Sequence, residues 1–327
     1  MISFRRRLAW VAALSGGIFA AGSTAALAQA WPQKPAHVIV GNSAGSLSDV
    51  LARQIFGRLS QTLGQQFVIE DRAGAGGAIA AEAVAKAAPD GYTFLFGTDG
   101  IMVINPFVYS KLPYDTLRDF ASVSLLAKIP YVLIVNPSFA ANTLAEFIAA
   151  AKARPRQINY GSGGNGHATH LEMELIARKA GIELVHVPYK GTGPALQAVV
   201  AGEVAATAIG LGIALPQIAS GKVRALVIGG PRAKDMLPRV PDLLPALPDS
   251  EYVSWQALFA PTGTPAAIVN RLNAELVKAL QLPEIQKQLA DVGMTPIASS
   301  PAELDRVLRA DLNTNRELVK ALGLKLD

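Results

Sequence analysis

Short apolar segments alternate with amphipathic segments along most of the chain beyond residue 30. Residues 37–40, 67–70 and 92–96 have the length and the β-branched or aromatic content of buried strands. Residues 48–63 and 77–88, which lie between them, are predicted helices. Strands that alternate with helices are typical of a mostly parallel sheet covered on both faces. The first part of the sequence therefore predicts an α/β fold.

The same order of elements returns after residue 156. Residues 157–160 and 184–187 are predicted strands, and a predicted helix over residues 168–179 lies between them. In each half, a loop of small residues follows the first strand and leads into a helix. In open α/β sheets, ligands bind at the carboxyl ends of the strands. The repeat predicts two doubly wound α/β domains with a ligand cleft between them.

Two further apolar runs, residues 120–135 and 251–260, are predicted as strands that cross between the domains. The C-terminal segment contains the helix start Ser300-Pro301-Ala302-Glu303, in which Ser300 and Glu303 form a capping box. If the chain crosses twice, its C-terminal helices return to the first domain. We therefore predict a discontinuous first domain, residues 31–133 and 254–327, around a second domain of residues 134–253.

The first thirty residues have the pattern of a secretory signal peptide. Three arginines precede an apolar run over residues 8–27, and Ala28 and Ala30 have the spacing of small residues that a signal peptidase recognises. An uncleaved membrane anchor is the alternative, for which the run is barely long enough. We predict that residues 1–30 are removed and that the mature chain is periplasmic.

Removal of this segment changes the charge of the chain. The full sequence has 30 basic and 25 acidic residues, and the segment contains three of the basic residues and no acid, which leaves 27 against 25, a formal charge of +2. The remaining charges are interleaved, so nothing indicates a nucleic acid as a partner. The sequence has no cysteine, which excludes disulfides, cysteine nucleophiles and thiolate metal sites.

The glycine-rich turn Gly161-Ser162-Gly163-Gly164-Asn165-Gly166 joins a predicted strand to a predicted helix. Glycines allow positive φ and leave no Cβ in front of the backbone N–H groups, and the start of a helix carries a partial positive charge. We predict that this turn binds an anion such as a carboxylate. A turn that only packs the helix on the strand is the alternative.

The same turn also matches the dinucleotide pattern GxGxxG. That pattern requires an acidic side chain at the end of the next strand to hold the ribose, whereas the next predicted strand, residues 184–189, is followed by Lys190. An exported oxidoreductase is therefore a disfavoured alternative. His167 and His170 have a spacing that metal ligands use, but no third ligand is nearby, so capping or packing is favoured. We predict no enzyme and no cofactor.

The loop after the first strand is a second candidate anion site. It contains Ser43, Gly45, Ser46 and Ser48, and a helix follows it. Ser48 or Asp49 can instead cap that helix through a side-chain oxygen, and for Asp49 capping is favoured over ligand contact. Two such sites that face each other across a cleft would hold a small molecule at both ends.

A set of short motifs is distributed over the whole mature chain. The motifs are WP at 31–32, DRAGAGG at 71–77, APDGYT at 88–93, INP at 104–106, LPYD at 112–115, NYGSGGNG at 159–166, HVPYKG at 186–191 and LFAPTGTP at 258–265. Together they resemble the extracytoplasmic solute-binding proteins of tripartite tricarboxylate transporters, the Bug family. The resemblance implies a type II periplasmic binding protein fold that closes on a small carboxylated solute and delivers it to membrane permease subunits. A ligand-dependent contact with a sensor kinase is compatible with the same resemblance.

The resemblance also implies which residues contact the ligand. They are the first-loop residues Ser43, Gly45, Ser46, Ser48 and Asp49, then Thr98 and Asp99, and the turn residues Ser162, Gly163, Gly164, Asn165 and Thr169. The sequence departs from the family pattern in the first loop, where a proline- and glycine-rich segment is usual and this chain has Gly41-Asn42-Ser43-Ala44-Gly45-Ser46-Leu47. It also departs at three further positions: Ala205 and Ile209 replace usual aspartates, and Asp99 replaces a small neutral residue. The implied ligand is a small organic acid or an amino-acid-like molecule, with a tricarboxylate, an amide and an aromatic acid left open.

Overall fold

The computed structural model describes residues 31–230, 233–248 and 253–325, so the predicted signal peptide lies outside the described residues. The first elements in chain order are β1 (Ala36–Val40), α1 (Leu47–Leu63), β2 (Phe67–Asp71), α2 (Ala78–Ala85), β3 (Thr93–Thr98), α3 (Asn105–Val108), β4 (Phe120–Ile129), β5 (Tyr131–Val135) and α4 (Leu144–Ala153). Next come β6 (Asn159–Ser162), α5 (Ala168–Ala180), β7 (Val185–Pro188), α6 (Thr192–Ala201), β8 (Ala206–Gly210), α7 (Leu211–Ala219) and β9 (Arg224–Gly229). The last are α8 (Ala233–Met236), α9 (Leu243–Ala246), β10 (Ser254–Pro261), α10 (Ala266–Leu280), α11 (Pro283–Asp291), β11 (Thr295–Pro296) and α12 (Pro301–Leu322).

The strands form two sheets. The first has the order β11-β4-β10-β3-β1-β2, and the second has the order β7-β6-β8-β5-β9. β1 is parallel to β2 and β3, and β6 is parallel to β7 and β8. β10 is antiparallel to β3 and β4, and β5 is antiparallel to β8 and β9. The predicted two-part α/β architecture is therefore confirmed, with antiparallel strands in both sheets.

Helices cover both faces of each sheet because alternate strand residues point in opposite directions. In β1, Val38 and Val40 pack among residues of α1 and α10, whereas Ile39 packs among residues of α2 and α12. The second sheet has the same arrangement: Leu133 of β5 packs with residues of α4 and α5, and Val132 packs with residues of α6 and α7. Each sheet thus has an apolar layer on both faces, and one layer of the first sheet continues into the second half through Tyr131 of β5 and Ala168, Leu171 and Leu175 of α5.

The predicted crossing strands need correction. Residues 120–135 form two strands, β4 and β5, and these belong to different sheets. The break lies at Pro130, which has no N–H to donate to a neighbouring strand. Tyr131–Val135 lies wholly in the second sheet, although the predicted division placed residues 131–133 in the first domain. Among the described residues β10 pairs with β3 and β4 alone, so it belongs to the first sheet and does not cross to the second.

The C-terminal helices pack on the first sheet, as expected for a chain that returns to its first domain. Asn273 of α10 donates to the Val123 carbonyl of β4 at 2.9 Å. α12 begins with the predicted capping box, in which Ser300 Oγ accepts from Glu303 N at 3.2 Å and Glu303 accepts from Ser300 N at 2.8 Å. None of the helices in the described ranges has the length and apolar content needed to cross a membrane.

Candidate functional site

A cavity of about 760 Å³ lies between the two sheets. Its lining includes the loops after β1 and β3, the turn after β6, and the starts of α6 and α7. These are carboxyl ends of strands from both sheets, where α/β proteins commonly bind ligands. Both halves of the molecule therefore contribute to one cleft.

The first loop is held by its own side chains. Ser46 is the N-cap of α1, and its hydroxyl accepts from Asp49 N at 3.3 Å. One Asp49 carboxylate oxygen accepts from Gly45 N at 2.8 Å, and the other lies 2.6 Å from Arg53 Nε. The cap is therefore Ser46, and neither Ser48 nor Asp49 caps the helix as predicted. Asp49 is buried behind the loop and fixes its shape, while Ser43, Gly45, Ser46 and Ser48 line the cleft.

The glycine turn satisfies several of its own backbone donors. Gly163 N donates to Thr169 Oγ1 at 2.8 Å, and Gly164 N donates to Ser162 Oγ at 3.1 Å. Gly166 N donates to His170 Nδ1 at 3.1 Å. These three N–H groups are engaged inside the turn, so they are not the open anion donors that the glycine pattern predicts.

Other donors at the two helix starts remain open. The N–H groups of Leu47 and Ser48 on α1, and those of Asn165 and Ala168 at α5, have no hydrogen-bond acceptor within the described part of the chain. All four residues line the cleft. α1 and α5 therefore direct unpaired N–H groups and their partial positive charges at the same cavity, one from each half.

The predicted contact residues thus fall into two groups. Those that line the cleft are Ser43, Gly45, Ser46, Ser48, Thr98, Asp99, Gly163 and Asn165. The other four are Asp49, Ser162, Gly164 and Thr169, whose polar groups bond within the first loop or the glycine turn. Direct contact with a ligand stays a prediction for all twelve residues.

Asp99 follows β3 and is 3% exposed. Ser254 of β10 donates its hydroxyl hydrogen to Asp99 Oδ1 at 2.7 Å. Burial raises the pKa of the neighbouring Tyr131, the charges of Asp99 and Glu172 raise it further, and a hydrogen bond with Ser254 opposes this shift. The Tyr131 hydroxyl therefore stays protonated beside a buried acidic region.

Sequence reasoning missed two polar side chains of β10 that line the cleft, Ser254 and Gln256. They are two residues apart, so they lie on one face of the strand. Two polar residues at this spacing in an otherwise apolar strand could have indicated, from the sequence alone, that this face of the strand lines a ligand site. Gln256 lies opposite Thr98 in the antiparallel pair, and its buried Oε1 accepts no hydrogen bond from the described residues.

Histidines form a stack behind the turn. The His170 and His186 rings are 3.8 Å apart at 7°, and Tyr160 stacks on His186 at 5.0 Å. Ser162 Oγ lies 2.6 Å from His186 Nε2, and Tyr160 donates to Glu174 at 2.5 Å. Burial lowers the pKa of His186 to about 4 and that of His170 to about 3. The charges of His186 and His167 lower the pKa of His170 further.

His167 is the N-cap of α5, and its ring accepts from Thr169 N at 3.2 Å. The structure therefore confirms capping for His167 and packing for His170. The described residues contain no group of three His, Cys, Asp or Glu side chains that could hold a metal ion. The turn also fits a dinucleotide poorly, because the Gly163 and Gly166 N–H groups that would face a pyrophosphate are already engaged.

Comparison with known proteins gives consistent matches over nearly the whole described chain. A family model described as a tripartite tricarboxylate transporter family receptor matches residues 51–324. Protein BugT of Bordetella pertussis (strain Tohama I) is 33% identical over 301 residues, covering 91% of this chain and 92% of the relative. The resemblance inferred from the motifs is confirmed.

Two solved structures are similar in both fold and sequence. Rpa4515 of R. palustris with adipate has a TM-score of 0.79 and 35% identity, and the match covers 90% of this chain and 99% of that chain. MatC (Rpa3494) from Rhodopseudomonas palustris with bound malate has a TM-score of 0.75 and 33% identity, and the match covers 88% of this chain and 100% of that one.

Proposed function

Because the chain belongs to the tripartite tricarboxylate transporter family of receptors, we propose that this solute-binding protein holds a carboxylate of its solute at the N-termini of α1 and α5. The observation that carries this assignment is the convergence of two long helices from different sheets on one cavity. Their open donors, on Leu47, Ser48, Asn165 and Ala168, face the cavity from both sides. A carboxylate is acceptor-only and can use donors from both helices at once.

The energies are sufficient for useful affinity. A hydrogen bond from a backbone N–H to a charged acceptor contributes about 1.5–3 kcal/mol. Each helix start adds about 0.3–1 kcal/mol of attraction for a negative group, and up to about 2 kcal/mol where the site is partly buried. The described cavity lining contains no lysine or arginine, so these donors are the main source of attraction for an anion.

The size of the cleft also supports a small solute. A volume of about 760 Å³ lies within the range of about 300–1,000 Å³ that is usual for pockets of small molecules. The similar structures with adipate and malate contain small dicarboxylates. A carboxylate of comparable size is therefore the class of solute that we assign to this cleft.

A charge placed at the start of α5 tests the assignment. Asn165 is exposed, lines the cleft and is close in shape to aspartate, so Asn165→Asp adds a negative charge with little steric change. Titration calorimetry on the mature chain, refolded to remove copurified solute, should show binding of at least one acid from a panel of carboxylates. Asn165→Asp should weaken that binding about tenfold or more, because two like charges within about 5 Å repel by roughly 3 kcal/mol at a partly buried site.

The matched control is Asn313→Asp on the exposed face of α12, which should bind the same acid as tightly as the parent. If Asn165→Asp also binds as tightly as the parent, the carboxylate is not held at the start of α5. Failure of every acid in the panel to bind would contradict the whole assignment.

Export and delivery complete the proposed role. Residues 1–30 would direct the chain to the periplasm and be removed there, and the loaded protein would then contact permease subunits of the transporter. Contact with a membrane sensor is the second candidate, and pull-downs of permease and sensor domains with and without solute distinguish the two. The oxidoreductase alternative requires NAD binding, which the same calorimetry tests directly.

A further inference from the structure

A second cavity lies at the end of the second sheet that is remote from the cleft. Its volume is about 330 Å³, and its lining includes one charged residue, Arg224, and the apolar residues Pro137, Ile218, Val223, Ala225 and Val240. β5 runs about 13 Å from Tyr131, which lines the cleft, to Val135, and Pro137 lies just beyond that end. The two cavities have no lining residue in common. The second cavity is therefore separate from the proposed solute site.

The second cavity forms where the chain turns from α7 into β9. Gly221 has a φ of +70° and donates to the Ile218 carbonyl at 3.0 Å, which ends the helix. β9 is an edge strand of its sheet. Ile228 near its end donates to the Pro241 carbonyl at 3.0 Å, so a later segment covers the strand there. The start of β9, at Arg224, has no strand beside it on this edge within the described ranges, which leaves room for the cavity.

Arg224 is half-buried, and backbone carbonyls hold its guanidinium. Nη1 donates to the Ala141 carbonyl at 3.0 Å and to the Phe139 carbonyl at 3.4 Å, and Nη2 donates to the Pro137 carbonyl at 3.4 Å. These acceptors are neutral, so they orient the guanidinium without compensating its charge. Nε has no acceptor among the residues that the structure describes, and no acidic side chain among them forms an ion pair with Arg224.

Neighbouring side chains do not supply a counter-ion either. Asp242, which forms a bridge with Ile228 further along β9, pairs with Lys234 at 3.0 Å. Lys222, two residues before Arg224, is exposed and adds positive charge. A charge that is partly removed from water is normally paired. The second cavity thus combines apolar walls with one positive group whose partner is an anion from outside the described chain.

A carboxylate suits this group, because the N–H groups of a guanidinium form a planar fork that matches two carboxylate oxygens. The Nε hydrogen and the second hydrogen of Nη2 are available for such a pair. A volume at the lower end of the range of about 300–1,000 Å³ for ligand pockets limits the guest to a small molecule.

We propose that the second cavity binds a small apolar monocarboxylate, with its carboxylate on Arg224 and its hydrocarbon part against Ile218, Val223 and Val240. This site is independent of the solute site in the cleft. An arginine that only fastens residues 137–141 to β9 is the alternative, and it predicts no binding here.

Two pairs of probes test the proposal: hexanoate with hexanol, and benzoate with benzyl alcohol. NMR spectra of the mature chain with labelled isoleucine and valine methyl groups report where each probe binds. At least one acid should shift the signals of Ile218, Val223 and Val240 in a saturable way. Its alcohol should bind about tenfold or more weakly, as the loss of one charge-assisted hydrogen bond predicts. Asn165→Asp, which changes the cleft, should leave these shifts as they are in the parent.

Two variants separate the charge from the fold. Arg224→Gln removes the charge and should reduce the affinity for the acid to that for the alcohol. Because Arg224 also holds residues 137–141, Val240→Glu is the second variant: its carboxylate occupies the guanidinium or repels the acid, and should weaken the acid about tenfold or more. Val185→Glu, at an exposed position of the opposite edge strand β7, is the matched control and should bind like the parent.

Thermal unfolding of each variant separates lost binding from lost folding, and Val240→Glu decides the matter if Arg224→Gln is unfolded. The proposal is overturned if neither acid shifts the three signals, if the alcohols bind as tightly as the acids, or if a folded Val240→Glu keeps the parent's affinity. The proposed carboxylate function of the cleft would stand in each of these cases.

Discussion

The stacked histidines behind the glycine turn should make the protein less stable as the pH falls from 7 to 5. His170 and His186 are held neutral by burial, which lowers the pKa of the first to about 3 and of the second to about 4. In the unfolded chain both have a pKa of about 6.5. Between pH 6.5 and about 4 the unfolded state therefore binds protons that the folded state does not, and stability falls as the pH decreases.

The size of the effect follows from this difference. Each histidine that stays neutral only in the folded state costs about 1.4 kcal/mol of unfolding free energy per pH unit below 6.5. At pH 5 the buried His170 removes about 2 kcal/mol relative to pH 7, and the half-buried His186 removes less because solvent screens its charge. Together they are a substantial part of the roughly 5–15 kcal/mol of a typical domain. Carboxylates whose pKa is lowered, such as Glu70 and Asp119, lose their contribution as the pH falls below their unfolded pKa values of about 4, which lies outside this window. Burial raises the pKa of Asp311, so this carboxyl group acts in the opposite direction to the histidines.

Urea unfolding at pH 7, 6 and 5 measures the dependence directly. Circular dichroism is the appropriate probe, because both tryptophans of the described chain, Trp31 and Trp255, pack on the first sheet. His170→Gln should reduce the slope by about 1.4 kcal/mol per pH unit between pH 6 and 5, and His186→Gln should reduce it by less, because His186 is only half buried. The slope is the informative quantity, since His170→Gln also alters the bond to Gly166 N and hence the stability at every pH. A parent protein with constant stability from pH 7 to 5, or variants with the parent's slope, would refute the reasoning.

Two further predictions concern closure of the cleft. Gly212→Ala should weaken solute binding about tenfold, because a Cβ there would lie 2.0 Å from the Val292 carbonyl oxygen across the cleft and such overpacking costs about 1–3 kcal/mol. Gly57→Ala, whose Cβ would have nothing within 4 Å, is the control and should bind as tightly as the parent. A Gly212→Ala variant that also binds as tightly as the parent would contradict the prediction. Solution scattering should show a smaller radius of gyration when the mature chain is saturated with a verified solute, as expected for hinge rotation of two intact domains, and an unchanged radius would argue against closure.

The fold was largely readable from the sequence, because alternating strands and helices impose a layered α/β architecture. The run over residues 120–135 shows where this reasoning fails. It is almost uniformly apolar, so no change of polarity marks the point where the chain leaves one sheet for the other. Pro130 was the available indication, since a proline interrupts strand pairing. The predicted boundary at residues 133/134 falls inside β5, which lies in the second sheet, and the rest of the division into two domains stays a prediction.

The site was only partly readable, because a sequence shows donors but not the acceptors that fold back onto them. The glycines of the turn correctly indicated that this segment has open N–H groups, but these groups do not belong to Gly163, Gly164 or Gly166. Thr169 lies six residues after Gly163, yet the start of α5 brings its hydroxyl to 2.8 Å from the Gly163 N–H. Ser162 does the same for Gly164. The open donors are consequently displaced to Asn165 and Ala168.

If the proposed assignment holds, these internal bonds help a cleft without lysine or arginine in its described lining to hold an anion. Thr169 and Ser162 fix the turn before any solute arrives, so the open N–H groups lose little conformational entropy on binding. An arginine would supply a full charge and a bidentate bond, and the solute would then leave slowly. The starts of α1 and α5 supply only partial positive charges. Because the two helices lie on opposite sides of the cleft, they attract the solute together only when both sides are close to it. Separation of the two halves at the membrane would remove one set of donors and lower the affinity, which is the requirement for a receptor that must release its solute to a transporter.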